Sequence, residues 1–231
     1  MFDLSIPVEF GRPRAWYLDG PRREAVRLGE WVGDVNQGGS VNFFDVHFNP
    51  HAHGTHTESV GHVVSESVHA VSLPLPPWMR ARVVRIPSPR LLRLEVLQAS
   101  SASRFDYDAL VLATHEGDLS QRDWRRSDPP AVEPAALAWL AEHGVRHLLI
   151  DLPSVDPEED GGALAAHRAF WGLPLGSTAL ADARHAGASI TELIQVPADC
   201  AEGNYMLNLS LAPMHGDAVP SRPILFPAES T

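Results

Sequence analysis

Apolar and β-branched runs recur along the chain at "SVNFFDVHF", "RARVVRIP", "ALVLATH", "HLLIDL", "ITELIQVP" and "YMLNLSLAP". Each has the length and residue choice of a β-strand, and several are apolar enough for burial on both faces. Two stretches carry the helical period instead. In "EPAALAWLAEHGV", Leu137, Leu140 and Ala141 share one face, Pro134 suits a first turn and Gly144 a stop. A second helix is expected from around Glu158 to Trp171, where "SVDPEEDGG" crowds acidic residues into the first turn as the helix dipole favours; it carries His167. The first helix runs almost directly into "HLLIDL", a helix-to-strand step that predicts α/β layering. From Gly172 to Gly187 no period is visible, and a loop of that length is expected to act as a substrate lid or subunit contact. The closing "PSRPILFPAEST" reads as a short edge strand and tail.

Composition narrows the picture. The 231 residues, 44% hydrophobic and 20% charged, suit a single folded domain over 1–231, and 20 Pro with 17 Gly suggest many short elements joined by turns. The net charge is -11, and all 18 basic residues are Arg. With no Lys, a Schiff-base mechanism is excluded, and an acidic chain without a clustered basic face is not expected to bind nucleic acid. Cys200 is the sole cysteine. It permits no intrachain disulfide or thiolate zinc site, and is expected to be a small buried residue. Any metal must rest on His and carboxylate. No apolar run approaches about 18 residues, and the N-terminus has no basic lead before an apolar core. A cytoplasmic chain with no membrane contact is expected.

Of 12 histidines, His47, His51, His53, His56 and His62 crowd the segment that follows one expected strand. In extended backbone, residues two apart face the same way, so His56 and Glu58 can converge on one cation while Thr57 points away. Gly54 permits a turn or bulge, and the Thr55 hydroxyl can reach backbone or a ligand carboxylate. Half a metal site is therefore local, and the other half must come from elsewhere. Asp151 and Asp156 could orient ligands or cap turns, and His115 could line a pocket. His69, His143, His147 and His215 read as structural or exposed. Trp78 and Trp171 are candidates for apolar pocket walls.

The stretch "HGTHTESVGH" resembles the signature HxGTHxDxPxH of the cyclase family of metal-dependent hydrolases, which includes bacterial kynurenine formamidase. Glu58 stands in place of Asp, Val60 in place of Pro, and Ala52 falls at the first histidine position. A branch reading HxxGTHTExxGH is matched instead, which implies that His51 is the ligand, swung back by a local bulge, with His53 a supporting or substrate-facing group. "LLIDLPSVDPEEDGG" with His167, and "ASITELIQVP" with Glu192, are similar to later segments of the family.

The resemblance implies an α/β single domain of mixed β-sheet with few helices, of the swivelling β/β/α type. It implies a divalent metal, Zn or Mn, as two ions held by His51, His56, Glu58, His167 and Glu192, with Glu58 bridging. His62 would be the catalytic acid and base, and the chain a homodimer. The implied activity is hydrolysis of a small amide, N-formylkynurenine or a related amide or lactam, by metal-activated water. Alternatives are a non-enzymatic metal or small-molecule binding protein, or a cyclase or dehydratase of a polyketide-like substrate.

Overall fold

The computed structural model describes residues 1–87 and 90–228. Eight strands form one sheet: β1 (Phe2–Asp3), β2 (His56–Glu58), β3 (Met79–Arg85), β4 (Ala109–Ala113), β5 (His147–Ile150), β6 (Ser189–Glu192), β7 (Gly203–Leu211) and β8 (Ala218–Pro227). Their order is β1-β8-β7-β3-β4-β5-β6-β2, and β2 pairs back onto β8, so the sheet closes on itself. Strands β3 to β6 run parallel. The pairs β6/β2, β2/β8, β8/β7 and β7/β3 are antiparallel. Parallel neighbours need crossovers, and these carry α2 (Leu94–Ala99), α3 (Pro134–Glu142) and α4 (Ala165–Trp171). A single turn, α1 (Pro50–His53), precedes β2. This is the expected mixed α/β architecture with few helices.

The apolar strands are buried on both faces because the sheet separates two cores. Along β4, Leu110 and Leu112 join a core under the helices with Leu137, Leu140, Phe170 and Trp171. Ala109, Val111 and Ala113 point the other way, into a core with Val83, Leu207 and Leu225. Leu149 on β5 belongs to this second core, while Leu148 and Ile150 belong to the first. The period of two is intact, but both faces are apolar.

Three expectations need correction or refinement. "SVNFFDVHF" does form a strand at Phe44–His47, but it pairs with Arg22–Ala25 in a separate, largely exposed two-stranded sheet. Its aromatic and β-branched residues favour extended backbone without any layer to cover them. Helix α4 begins at Ala165 rather than near Glu158, because Gly161 and Gly162 take left-handed φ of 67° and 78° and the Asp160 carboxylate accepts from Gly162 N and Leu164 N. The closing strand is not an edge: β8 pairs with β7 along one side, and with β2 and then β1 along the other. Pro220 closes its pairing with β2, and Pro223 precedes its pairing with β1. The residues Glu229, Ser230 and Thr231 of the expected tail lie outside the described residues.

The loop from Gly172 to Gly187 is tied down. Ser65 N and Leu180 N bond to Thr178 O and the Glu66 carboxylate across the gap, and Leu180, Ala183 and Ala186 pack on the helix-side core. Among the described residues, no helix is long and apolar enough to cross a membrane.

Candidate metal centre

Strand β2 is three residues long and is held from both sides. Glu58 lies opposite Ile190 and Ala218, and His56 opposite Glu192 and Pro220. Directly opposed residues share a face, so His56, Glu58 and Glu192, all buried, look into one space. Thr57 points the other way, with its hydroxyl 2.7 Å from Thr191 Oγ1 and 2.8 Å from Ser221 Oγ. Thr55 Oγ1 accepts from Ile6 N at 2.7 Å and donates to Leu193 O, so it fixes backbone and touches no ligand carboxylate. Gly54 is required by contact: a Cβ there would lie 2.9 Å from Ile6 O.

The bulge expected between His51 and Gly54 is a helical turn instead. Pro50 takes its first position and the Asn49 side chain caps it by accepting from His51 N at 2.9 Å. His51 turns toward Glu58, its Nδ1 3.2 Å from Oε2. His53 faces elsewhere: Nδ1 accepts from Asn49 N and Nε2 donates to Asp19 O, each at 2.9 Å. With both nitrogens engaged, His53 anchors the Asp19 loop.

From the far part of the chain, α4 brings His167 Nε2 to 2.8 Å from Glu58 Oε1 and 3.5 Å from Glu192 Oε1. Its Nδ1 lies 2.6 Å from Asp156 Oδ2. Asp156 also accepts from Ala166 N and His167 N, so it both caps the helix and orients the imidazole. Glu192 Oε1 accepts from Val155 N at 2.9 Å, leaving Oε2 3.4 Å from His56 Nε2. His56 Nδ1 donates to Gly54 O at 3.1 Å, which leaves Nε2 as a lone pair.

All five residues expected as ligands thus meet in one place, and the donor set fits a divalent cation. His56 Nε2, both Glu58 oxygens and His167 Nε2 are buried without an aligned hydrogen-bond partner. Buried polar atoms without aligned hydrogen bonds cost about 1–3 kcal/mol each, and these crowd one space, with His167 Nε2 2.8 Å from Glu58 Oε1. Imidazole nitrogen with carboxylate oxygen is the chemistry of borderline divalent ions. Among the described residues, two groups have donor atoms within 4.8 Å of one another, His56 with Glu58 and Glu192, and His51 with Glu58 and His62. Glu58 belongs to both. The cluster's negative charge also attracts protons: burial works against a charged His51, but Asp217 and Glu58 push its pKa up to about 10. His167 is likewise raised despite burial, by Glu58, Asp156 and Glu192. Burial would raise the Glu58 carboxyl, yet His167 and His62 hold it well below the usual range.

His62 ends a 3-10 turn, Val60–His62, capped by Ser59. Its ring centre lies 4.3 Å from that of His51 and 5.4 Å from that of His167. Its Nδ1 is 3.1 Å from Asp217 Oδ2, the same oxygen that His51 Nε2 approaches at 2.9 Å. Asp217 was not legible as a site residue, because "HGDAV" reads as an ordinary turn and lies 155 residues from His62.

Beside the cluster is a cavity of about 270 Å³ walled by Trp16, Leu18, Asn49, Ser154 and Leu164, with His51, His62, His167 and Glu192 at its base. Trp16 and Tyr17 hold left-handed φ of 60° and 58°, and Trp16 Nε1 donates to His51 O at 3.1 Å. Such backbone strain in non-glycine residues clusters at functional sites. The candidate walls fall elsewhere: Trp78 is half exposed against Phe226, and Trp171 is buried behind His167. His115 packs edge-on against Trp124, and Asp151 accepts from Thr114 and His115, both outside the cavity lining. A larger surface cleft of about 920 Å³ sets Arg90, Arg93 and Arg126 against Asp128, Glu158 and Glu159, and lacks the histidines this chemistry needs.

A closed mixed sheet with helices over its parallel strands, and a buried histidine and carboxylate cluster opening on a cavity, defines an α/β protein built to hold a divalent metal. The comparisons agree. Residues 2–157 match the family described as "Putative cyclase", and the chain belongs to this cyclase family. It is 29% identical over 152 residues to a kynurenine formamidase of Geobacillus thermodenitrificans, covering 61% of this chain and 70% of that one. With a kynurenine formamidase of Bordetella petrii it shares 26% identity over 227 residues, 97% of each chain. Its fold matches the structure of a "predicted metal-dependent hydrolase" from Bacillus stearothermophilus, with a TM-score of 0.66 at 17% identity, covering 97% and 96% of the two chains. Isatin hydrolase A from Labrenzia aggregata matches with a TM-score of 0.67 at 15% identity, over 96% of this chain and 91% of that one.

Proposed function

We propose that the protein is a metal-dependent hydrolase of a small amide, such as N-formylkynurenine or a related lactam. The observation that carries this reading is the set of four buried donor atoms without aligned hydrogen bonds, on His56, Glu58 and His167, beside a cavity lined by His62 and His167. The relatives named kynurenine formamidase and isatin hydrolase support the amide class.

His51, His56, Glu58, His167 and Glu192 are the proposed ligands of zinc or manganese, as two ions sharing Glu58. Bound there, the metal would polarise the amide carbonyl and make water acidic enough to lose a proton near neutral pH. The chain's own residues do the rest. His62 takes a proton from the attacking water and delivers it to the departing amine nitrogen, so water adds across the broken C–N bond and a carboxylate and an amine leave. Asp156 holds the His167 ring, and Trp16, Leu18 and Leu164 exclude bulk water from the reacting centre.

The test is His62→Ala in metal-loaded protein, assayed first on N-formylkynurenine and then on a panel of amides, lactams and esters. Turnover should fall by about 100-fold or more while bound metal stays nearly stoichiometric. Loss of metal in this variant would make His62 a ligand. Stoichiometric metal in the wild type without turnover of any substrate would leave a binding protein, and a product formed without added water would indicate a cyclase or dehydratase. We further propose a homodimer, supported by the exposed apolar residues Leu28, Val35, Val41, Phe43 and Val46 on and beside the two small two-stranded sheets.

A further inference from the structure

The geometry points to Asp217 as a positioning residue that sets the tautomers of two histidines at once, the proposed ligand His51 and the proposed proton carrier His62. This inference rests on the hydrolase reading for its catalytic consequence, but not for its geometry. One carboxylate oxygen, Oδ2, lies 2.9 Å from His51 Nε2 and 3.1 Å from His62 Nδ1. A carboxylate accepts and cannot donate, so each contact places a proton on the imidazole nitrogen that faces it. For His51 the proton held by Asp217 is the one on Nε2, so the nitrogen left to a bound cation is Nδ1, which faces Glu58 and the cluster at 3.2 Å. For His62 the proton sits on Nδ1, which leaves Nε2 as the basic nitrogen of a residue that lines the cavity. Without that constraint a neutral imidazole can place its proton on either nitrogen, and in the wrong tautomer His51 loses its donor atom and His62 cannot accept a proton from water.

The arrangement is built into the backbone. Asp217 precedes β8, whose first residue Ala218 pairs with Glu58. Its own carbonyl accepts from Ser59 N at 2.9 Å and from Ser59 Oγ at 3.3 Å. Next to it, Gly216 O accepts from Ala70 N at 2.8 Å. The chain carrying the carboxylate is therefore clamped to the segment between Glu58 and His62, and side chains 166 and 155 residues away in sequence meet it at fixed distance.

The experiment combines nitrogen NMR with kinetics on zinc-loaded protein. In ¹⁵N-labelled wild type, His62 is identified by the signals lost in His62→Gln. It should be found as the Nδ1–H tautomer, and in Asp217→Ala it should become a mixture of tautomers or the Nε2–H form. Zinc should stay bound in Asp217→Ala but compete about 10- to 100-fold less well against a chelator, because the outer partner of a ligand histidine tunes its affinity by that much. On any substrate that the wild type hydrolyses, kcat should fall by a similar factor with little change in KM, and Asp217→Asn, which keeps one accepting oxygen, should recover part of the loss. An Nε2–H tautomer of His62 in the wild type overturns the inference, and needs no variant to fold. So does an unchanged tautomer in Asp217→Ala with unchanged chelator competition. If the wild type hydrolyses nothing, the hydrolase reading fails while the tautomer and zinc competition still judge Asp217.

Discussion

Glu58 is the residue on which most of the centre depends. It is fully buried, both oxygens lack aligned partners, and it belongs to both potential cation groups. Glu58→Gln keeps the shape and removes the charge, so metal content after dialysis, read by elemental analysis, should drop from stoichiometric to near zero while the purified protein remains folded. His51 gives a second expectation. Its pKa of about 10 means that it is protonated at neutral pH in the metal-free protein, and a cation must displace that proton. Metal affinity should therefore rise with pH, by about tenfold per unit for each proton released, through neutral pH and up to about pH 10. Titrating zinc into weakly buffered protein and recording the acid released checks the count. Binding without release would place the proton elsewhere.

At the scale of elements, β2 earns its position from its neighbours. The hydroxyls of Thr57, Thr191 and Ser221 form a buried chain across β6, β2 and β8, on the side of the strand away from the cluster. Thr57→Val should cost about 1–3 kcal/mol, seen as a lowered melting temperature, because it strands two buried hydroxyls. Metal stoichiometry at low temperature should be retained, since no ligand faces that side. This strand was also the most legible part of the sequence: alternation around Thr57 was enough to pair His56 with Glu58, and the Pro134 to Gly144 pattern was enough for α3. What was not legible depended on distant contacts. Asp156 caps α4 only because Gly161 and Gly162 delay the helix to Ala165. His51 faces the centre through a capped helical turn rather than a bulge, and Asp217 gains its role only once β8 lies against β2. Local patterns set which residues share a face, whereas register between remote strands decides what those faces meet.

Across the whole molecule, the closed sheet gathers the centre from widely separated segments, with α1, the turn after β2, α4 and β6 each presenting side chains to one end of it. Some backbone strain lies there as well: Trp16 and Leu164, on the cavity wall, and Leu193, next to Glu192, hold positive φ. Val46, in one of the small two-stranded sheets, and Phe43 just before that strand leave apolar surface exposed. If they mediate the proposed dimer, Phe43→Arg should shift the mass measured by light scattering from two chains to one. A dimeric mass that survives this change would assign the contact to another surface.

The pairing of β8 with β2 also bears on how the protein is made. Ala218 to Pro220 must lie against Glu58 to His56 before Asp217 can reach His51 and His62, so nearly the whole chain has to leave the ribosome before the centre exists. A nascent or truncated chain offers its histidines to metal without the geometry to use it. Tight metal capture then becomes a mark that synthesis has passed β8, and a pulse-labelled chain should acquire chelator-resistant metal only after residue 220 has been translated and has paired.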